Sequence, residues 1–281
     1  MSVINTNVSA MYSQNAMKTN ARAMSTAMEQ LSTGTRVNSA KDDAAGLAIG
    51  QNMTSQIRGL NMAVRNLNDG INMMQTAEGA MVEQSNMLQR MRELAVQSMN
   101  GTNDTNQRAY LQLEFEALNS QIDDIASSTT WNDQTLLNAA SASLNATNPD
   151  GLFTFQASHS SGQIITVQIN DMGASNLGIS ALDISTMSAA TTALSGISSA
   201  LETINQQRAT IGAGINRMEY AADNLTNISY NATQSRSTIM DTDYAMATTQ
   251  LAKTQIIQQA ATAMLAQANQ QPQQVMQLLK G

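Results

Sequence analysis

The residues that most often perform catalysis or bind metals are sparse in this chain and poorly spaced for either task. The single histidine, His159, lies in a polar stretch without an apparent partner, so the sequence does not indicate a general base. The acidic pairs within residues 42–43 and 241–243 lack the spacing of a calcium-binding loop. Two glycines within residues 212–214 interrupt a helical pattern and follow no strand, which disfavours a dinucleotide site. The chain also has no cysteine. We therefore predict no enzyme activity, no cofactor and no metal.

The composition indicates thin helical layers rather than a wide globular core. Hydrophobic residues make up 42% of the 281 residues but aromatic residues only 3%, and aromatic side chains bury the largest areas. Prolines occur only at positions 149 and 272, so long stretches are free to form continuous helix. The formal net charge of −7 leaves no basic stripe to neutralise phosphates, which argues against a nucleic-acid partner.

The beginning of the chain has neither a basic region nor an apolar region of the kind found in a cleaved secretory signal. No stretch contains the run of about 18 apolar residues that spans a membrane. We expect a protein that is cytoplasmic or exported without a cleaved signal, and no membrane partner.

Two very long stretches repeat apolar residues at coiled-coil spacing, and each predicts one helix. The first continues for about 45 residues, which corresponds to a helix of about 70 Å. Its polar exceptions are Glu78 and Ser85, and those of the second are Arg208, Ser229 and Arg236. The first frame holds Met53, Ile57, Leu60, Val64, Leu67, Ile71, Met74, Met81 and Leu88, and the second holds Met187, Ala190, Leu194, Ile197, Leu201, Ile204, Ile211, Ile215, Met218, Ala222, Leu225, Ala232 and Ile239.

Shorter signals divide the rest of the chain. Ser39 followed by Asp42 predicts a capping box at the start of the first long helix. Residues 100–106 have the composition of a turn, and a third helix follows with Leu111, Phe115, Leu118, Ile122 and Ile125 in its frame. Two alternating stretches near residues 152–170 predict a β-hairpin. The predicted fold is mainly α: a long antiparallel helical coiled-coil rod with a small β-hairpin region.

The two ends are apolar and nearly without charge, and Lys18 is the first charged side chain. An apolar stripe without a charged face is a poor helix in solution, so we expect the ends to meet each other and copies of themselves. We also expect residues 1–40 and 240–281 to be mobile in a monomer and ordered in a polymer. The predicted assembly residues are Ile4, Val8, Met11, Ile256, Ile257, Met264, Leu265, Val275, Leu278 and Leu279.

Several long motifs lie in the two halves of the chain. They are VINTNVSA near the start, LSTGTRVNSAKDDAAGLAI at 31–49, RNLNDGINMMQTAEGAM at 65–81, LQRMRELAVQS at 88–98, QSRSTIMDTDYA at 234–245, and LAKTQIIQQAATAMLAQANQQPQQVMQLL at the end. These motifs resemble those of bacterial flagellins. The matching parts cover about the first 125 and the last 90 residues. The resemblance implies a minimal flagellin, with a terminal helical domain (residues 1–44 and 238–281), a rod domain (residues 45–237) and no outer-domain insert.

The same resemblance implies a structural subunit that polymerises into the flagellar filament and serves motility. It implies export through the flagellar type III apparatus, an extracellular location, and an export chaperone, the cap and the hook-associated proteins as partners. It also implies recognition by a host Toll-like receptor through Gln89, Arg90, Glu93, Leu94, Gln97 and Glu114, and by a cytosolic inflammasome sensor through Val275, Leu278 and Leu279.

Two alternatives stay open at this point. A hook–filament junction protein has terminal helices of the same type. A secreted adhesin or immune ligand would act as a monomer and would not form tubes.

Overall fold

Helices dominate the computed structural model, which describes residues 6–138, 151–160 and 162–280, the last ten of these by their backbone alone. The helices within these ranges are α1 (Val8–Thr33), α2 (Ala44–Ser98), α3 (Thr105–Ser128), α4 (Met187–Met240) and α5 (Tyr244–Lys280). Two antiparallel hairpins pair β1 (Thr130–Trp131) with β2 (Gln134–Thr135) and β3 (Leu152–Gln156) with β4 (Ile164–Gln168). The predicted fold class, mainly α with a small β-hairpin region, is confirmed.

The start of α2 differs from the capping box predicted for Ser39 and Asp42. The helix begins after Asp43, whose carboxylate accepts a hydrogen bond from the Gly46 amide at 2.8 Å. The Asp42 carboxylate instead accepts hydrogen bonds from the amide and the hydroxyl of Ser39, both at 3.0 Å. The prediction was wrong because Asp42 closes the preceding turn, whereas the next residue performs the capping.

The two long frames form the core of the central part of the chain. In α2 the side chains of Leu60, Leu67, Met74, Met81 and Leu88 are at most 2% exposed. In α4 those of Ala190, Ile197, Ile204, Ile211 and Met218 are fully buried. The predicted frame of α4 is not buried at its first residue, since Met187 is 47% exposed. Heptad spacing therefore identified most of this core.

A second buried row on each long helix was not predicted. All but one of its members are small or polar, with Ala63, Gly70, Ala77, Gln84 and the larger Met91 in α2 and Ala193, Ala200, Gln207 and Gly214 in α4. Each glutamine donates a hydrogen bond to a backbone carbonyl oxygen: Gln84 to that of Met172 at 3.1 Å, and Gln207 to that of Gln168 at 2.7 Å. These rows fix the segment that contains β4 against the long helices.

The glycines of these rows leave room for the β3–β4 hairpin. A Cβ added to Gly70 would lie 2.8 Å from the ring of Phe155, and one added to Gly214 would lie 2.8 Å from a methyl group of Val167. Phe153 pairs with Val167 and Phe155 with Ile165 across the hairpin, which confirms the alternation seen in the sequence. The β1–β2 hairpin was not predicted, although Asn132 and Asp133, both with positive φ, are suited to such a tight turn.

The third helix and the turn before it agree with the expectation. Asp104 caps α3 by accepting a hydrogen bond from the Gln107 amide, and the Gln107 side chain accepts one from the Asp104 amide in return. Phe115 and Ile122 are fully buried. Residues 99–104 therefore reverse the chain between α2 and a helix that covers the C-terminal part of it.

The chain divides into two compact units. One unit contains residues 1–57 and 230–281, and the other contains residues 58–229. We call them the terminal unit and the central unit. The domain boundaries predicted at residues 44/45 and 237/238 stay a prediction.

Candidate functional site

Helices α1 and α5 of the terminal unit pack antiparallel through small and polar side chains. The buried positions of the pair are Ala10, Asn20 and Ala27 on α1 and Ala247 and Thr254 on α5. The Asn20 amide group donates hydrogen bonds to the carbonyl oxygen of Thr254 at 2.8 Å and to the side-chain oxygen of Gln258 at 3.0 Å. Buried polar contacts of this kind set the register of a helix pair, although they contribute less to stability than apolar contacts do.

Several large apolar side chains of the same two helices are turned away from the seam. Val8 and Met11 are each 61% exposed, and Ile256 and Met264 are 66% and 63% exposed. The two ends meet each other as expected, and the assignment of Val8 and Met11 to assembly stays a prediction. Heptad spacing alone could not show which stripe is inside, because α1 and α5 each have a small-residue stripe beside the apolar one.

The other predicted assembly residues have different places. Ile257 is 42% exposed and Leu265 is half-buried. Ile4 lies outside the described residues. Val275, Leu278 and Leu279 belong to α5, but their side chains also lie outside what is described.

The segment that follows α1 and the segment that precedes α5 are joined by hydrogen bonds at the end of this helix pair. The Arg36 amide donates a hydrogen bond to the carbonyl oxygen of Met240 at 2.6 Å, and the Thr242 amide donates one to that of Gly34 at 3.0 Å. The guanidinium of Arg36 also lies 3.5 Å from the carboxylate of Asp43. Hydrogen bonds from Ser39 are the main reason that the pKa of Asp42 lies below its ordinary value. Backbone pairing and local polar contacts therefore hold this junction.

A second candidate surface lies where α2 and α3 of the central unit run side by side. The guanidinium of Arg90 lies 2.9 Å from the carboxylate of Glu114 on α3 and 2.9 Å from that of Glu93 on its own helix. Hydrogen bonds to Glu114, followed by those to Glu93, raise the pKa of Arg90. All three side chains are about half exposed or more, so the network presents fixed charges to a partner.

The structure brings five of the six predicted recognition residues to this surface and buries the sixth. Gln89 and Gln97 are exposed beside the charged network and line a groove of about 780 Å³ that also contacts Leu201 and Asn205 of α4. Leu94 is 1% exposed and belongs to the core. The interpretation of Leu94 as an apolar surface contact is therefore wrong, because at this heptad position the side chain points towards the helices that it packs against.

The described residues do not assemble a metal site. They contain no group of three or more His, Cys, Asp or Glu side chains that could hold a metal ion. His159 is exposed at the tip of the β3–β4 hairpin, and its Cβ faces Gly59 of α2. Within the same residues, every helix is too short or too polar for a membrane span.

Comparisons with known proteins find matches to one family at both ends of the chain. The family model described as the bacterial flagellin N-terminal helical region matches residues 4–142, and the model of the C-terminal helical region matches residues 194–279. The flagellin of Halalkalibacterium halodurans is 42% identical over 280 residues, covering 99% of this chain and 100% of the relative. The flagellin of Bacillus subtilis is 43% identical over 303 residues, covering 99% of each. The crystal structure of Bacillus cereus flagellin matches 57% of this chain and 88% of its own, with 31% identity and a TM-score of 0.50.

Proposed function

Because the chain belongs to the bacterial flagellin family and is a structural subunit of the flagellar filament, we propose that its copies associate through the large apolar side chains of α1 and α5. The observation that carries this proposal is the outward position of Val8, Met11, Ile256, Ile257 and Met264 on helices that pair with each other through small residues. Leu265, Ile4, Val275, Leu278 and Leu279 extend the same surface in our proposal.

The energetic reason is the area that a monomer leaves in water. Full burial of one aliphatic or methionine side chain contributes about 1.5–3 kcal/mol. A subunit with several such side chains exposed gains much of this free energy when a neighbouring copy covers them. The terminal unit is therefore suited to a filament whose copies complete each other's cores.

The double substitution Ile256→Gln and Met264→Gln tests this assignment. Filament growth from purified protein should fall by at least about tenfold, because two apolar contacts between copies are lost. Filaments would be counted by electron microscopy and by sedimentation, with circular dichroism as a measure of folding. Met187→Gln, at a 47% exposed position of α4, is the matched control. Normal growth of the double variant would overturn the assignment.

We also propose that residues 1–44 and 238–281 form the terminal domain of the filament subunit and that parts of it become ordered only on assembly. Short amphipathic helix pairs without a large core are marginal as isolated units. Amide exchange in the monomer should therefore be fast at Ile257 and Met264 and become slow in filaments. Strong protection of these amides before assembly would contradict the proposal, as would unchanged growth after deletion of residues 275–281.

A second proposed role is recognition of the monomer by a Toll-like receptor through Gln89, Arg90, Glu93, Gln97 and Glu114. The exposed ionic network of Arg90 favours it, because a planar guanidinium held by two carboxylates is a preorganised polar anchor. Arg90→Ala should reduce receptor signalling in reporter cells at least about tenfold without loss of helicity. Arg217, which is exposed on α4 and does not line this groove, supplies the control, Arg217→Ala. Equal signalling from both variants would remove this site.

Export through the flagellar type III apparatus, with a dedicated chaperone, the cap and the hook-associated proteins as partners, completes the proposal. A chain without cysteine forms no disulfide that would prevent passage in an unfolded state. Deletion of the export ATPase or gate should leave the protein inside the cell. Secretion that continues in such a strain would contradict this route.

The proposed recognition of Val275, Leu278 and Leu279 by a cytosolic inflammasome sensor is tested by the same deletion of residues 275–281 in a cytosolic delivery assay.

A further inference from the structure

The net charge of the chain is concentrated in its middle. Residues 93–207 contain eleven Asp and Glu residues but a single basic residue, Arg108, whereas all other residues together carry a formal charge of +3. A protein that associates with itself therefore has surfaces of opposite sign available on one chain. Such surfaces guide the approach of two copies and disfavour wrong registers.

Helix α3 carries an apolar stripe on the face opposite its buried frame. Tyr110 is 70% exposed, Leu113 is 64% exposed and Ala117 is exposed, and the three follow each other at spacings of three and four residues. Residues at these spacings lie on one face of a helix. Glu114 and Glu116 flank the stripe. The described residues contain no basic partner for Glu116, whose contact is a hydrogen bond from Gln112.

Helix α2 carries a stripe with the opposite charge near the start of the central unit. Arg58, Met62 and Arg65 follow each other at spacings of four and three residues, and all three are exposed, Met62 by 49%. Neither arginine forms an ion pair with any described residue. One methionine between two free guanidinium groups is the complement of an apolar stripe between carboxylates.

The two stripes are too far apart to meet within one chain. Arg90 of α2 contacts Glu114 of α3, so the α3 stripe lies beside this part of α2. The 28 residues from Met62 to Arg90 belong to one helix and span about 40 Å at about 1.5 Å per residue. A contact between the two stripes therefore requires two molecules.

We propose that the α3 stripe (Tyr110, Leu113 and Ala117, with Glu116) binds the α2 stripe (Arg58, Met62 and Arg65) of a second copy of this chain. Because the contact joins two different surfaces, it repeats head to tail, which is the kind of contact that a helical filament requires. This contact rests on the proposed self-association and adds to it a contact of the central unit. It is distinct from the proposed contact between copies through the exposed side chains of α1 and α5.

Cross-linking between single-cysteine variants tests the contact directly, since the natural chain has no cysteine. Met62→Cys and Leu113→Cys proteins would be mixed, polymerised and oxidised. A covalent dimer should form in the mixture but not from either variant alone, because the contact is between unlike stripes. Glu202→Cys, at an exposed position of α4, replaces Leu113→Cys in the control mixture and should give no dimer.

Charge reversal provides the second measurement. Glu116→Arg and Arg65→Glu should each slow filament elongation by about tenfold or more, because like charges then face each other. The two changes in one chain should restore the rate to within about threefold, and Glu202→Arg should leave it unchanged. Filaments that form without the mixed cross-link, or reversals that do not compensate each other, would overturn the contact while leaving the proposed function intact. If the unsubstituted protein failed to form filaments, both would fall.

Discussion

The terminal and central units use paired helices in opposite ways. In the central unit the largest side chains are inside, and Leu67, Met74, Ile197 and Ile204 are fully buried. In the terminal unit Ala10, Asn20, Ala27 and Thr254 are inside, whereas Val8, Ile256 and Ile257 are exposed. The difference shows that amphipathic spacing builds an apolar core in the central unit, whereas in the terminal unit it leaves apolar side chains exposed, which we propose for contacts between molecules.

The comparison also predicts how stability is distributed. Burial of large aliphatic side chains supplies most of the free energy of folding, whereas alanine and hydrogen-bonded amides supply much less. The central unit should therefore resist denaturation in the monomer, and the terminal unit should open at a lower cost. Substitutions in the two units should separate folding from assembly.

The largest effect on folding is expected from Ile204→Ala in α4. Removal of a fully buried side chain should lower the free energy of unfolding by about 2–5 kcal/mol. Met264→Ala, at a 63% exposed position of α5, should change it by less than about 0.5 kcal/mol while impairing assembly. Urea denaturation of the monomers measures both values. Similar losses in the two variants would show that the units do not differ as described.

Glycine substitutions give the next largest effect and test the hairpin contact of the central unit. Gly70→Ala should destabilise the monomer by about 1–3 kcal/mol, because the new methyl group would overlap the ring of Phe155. Gly79→Ala, in the same helix with no atom within 4 Å of the new group, should stabilise it by about 0.5–1 kcal/mol. Thermal unfolding of the two variants compares them. A gain in both would mean that the hairpin moves aside easily.

A smaller effect is expected from Asn20→Ala in the terminal seam. The lost hydrogen bonds to Thr254 and Gln258 should cost about 1 kcal/mol and loosen the register of α1 against α5. Amide exchange of residues 250–260 should become faster in this variant, with the exchange of the central unit unchanged. Asn15→Ala, an exposed position of α1, is the control. Unchanged exchange near Thr254 would show that small apolar contacts alone fix the register.

Much of the helical architecture could be predicted because one physical signal dominates it. The heptad frames of α2 and α4 required apolar residues every three or four positions, and most of these residues are buried. The turn at residues 100–106 and the β3–β4 hairpin followed from composition and alternation in the same way. The β1–β2 hairpin is too short for any periodic signal.

The parts that sequence reasoning missed are those where small or polar residues occupy interior positions. Gly70, Gln84 and Gln207 are buried because the hairpin segment approaches them, and no local pattern contains that information. Leu94 shows the reverse error at the recognition surface, where a resemblance assigned a contact to a side chain that faces the core. Helix α1 has an apolar stripe beside a stripe of small residues, and only its packing against α5 shows which of the two is buried. A stripe of alanines therefore marks a buried helix face as well as a stripe of leucines does, but it can be recognised only once the helix that packs against it is known.

The smallest predicted effect concerns the junction of the terminal unit, where polar contacts replace a core. Hydrogen bonds from Ser39 favour the ionised form of Asp42, so its carboxyl group should titrate below the ordinary pKa of 3.8. A depressed pKa means that the contribution to stability is complete above the ordinary value and is lost as the pH falls through the lower, folded value. The chemical shift of this carboxyl group measures the midpoint, and Ser39→Ala should move it upward because the largest cause is removed. A midpoint that is equal in the two proteins would show that the junction does not depend on this turn. The contrast with the central unit would then rest on α1 and α5 alone.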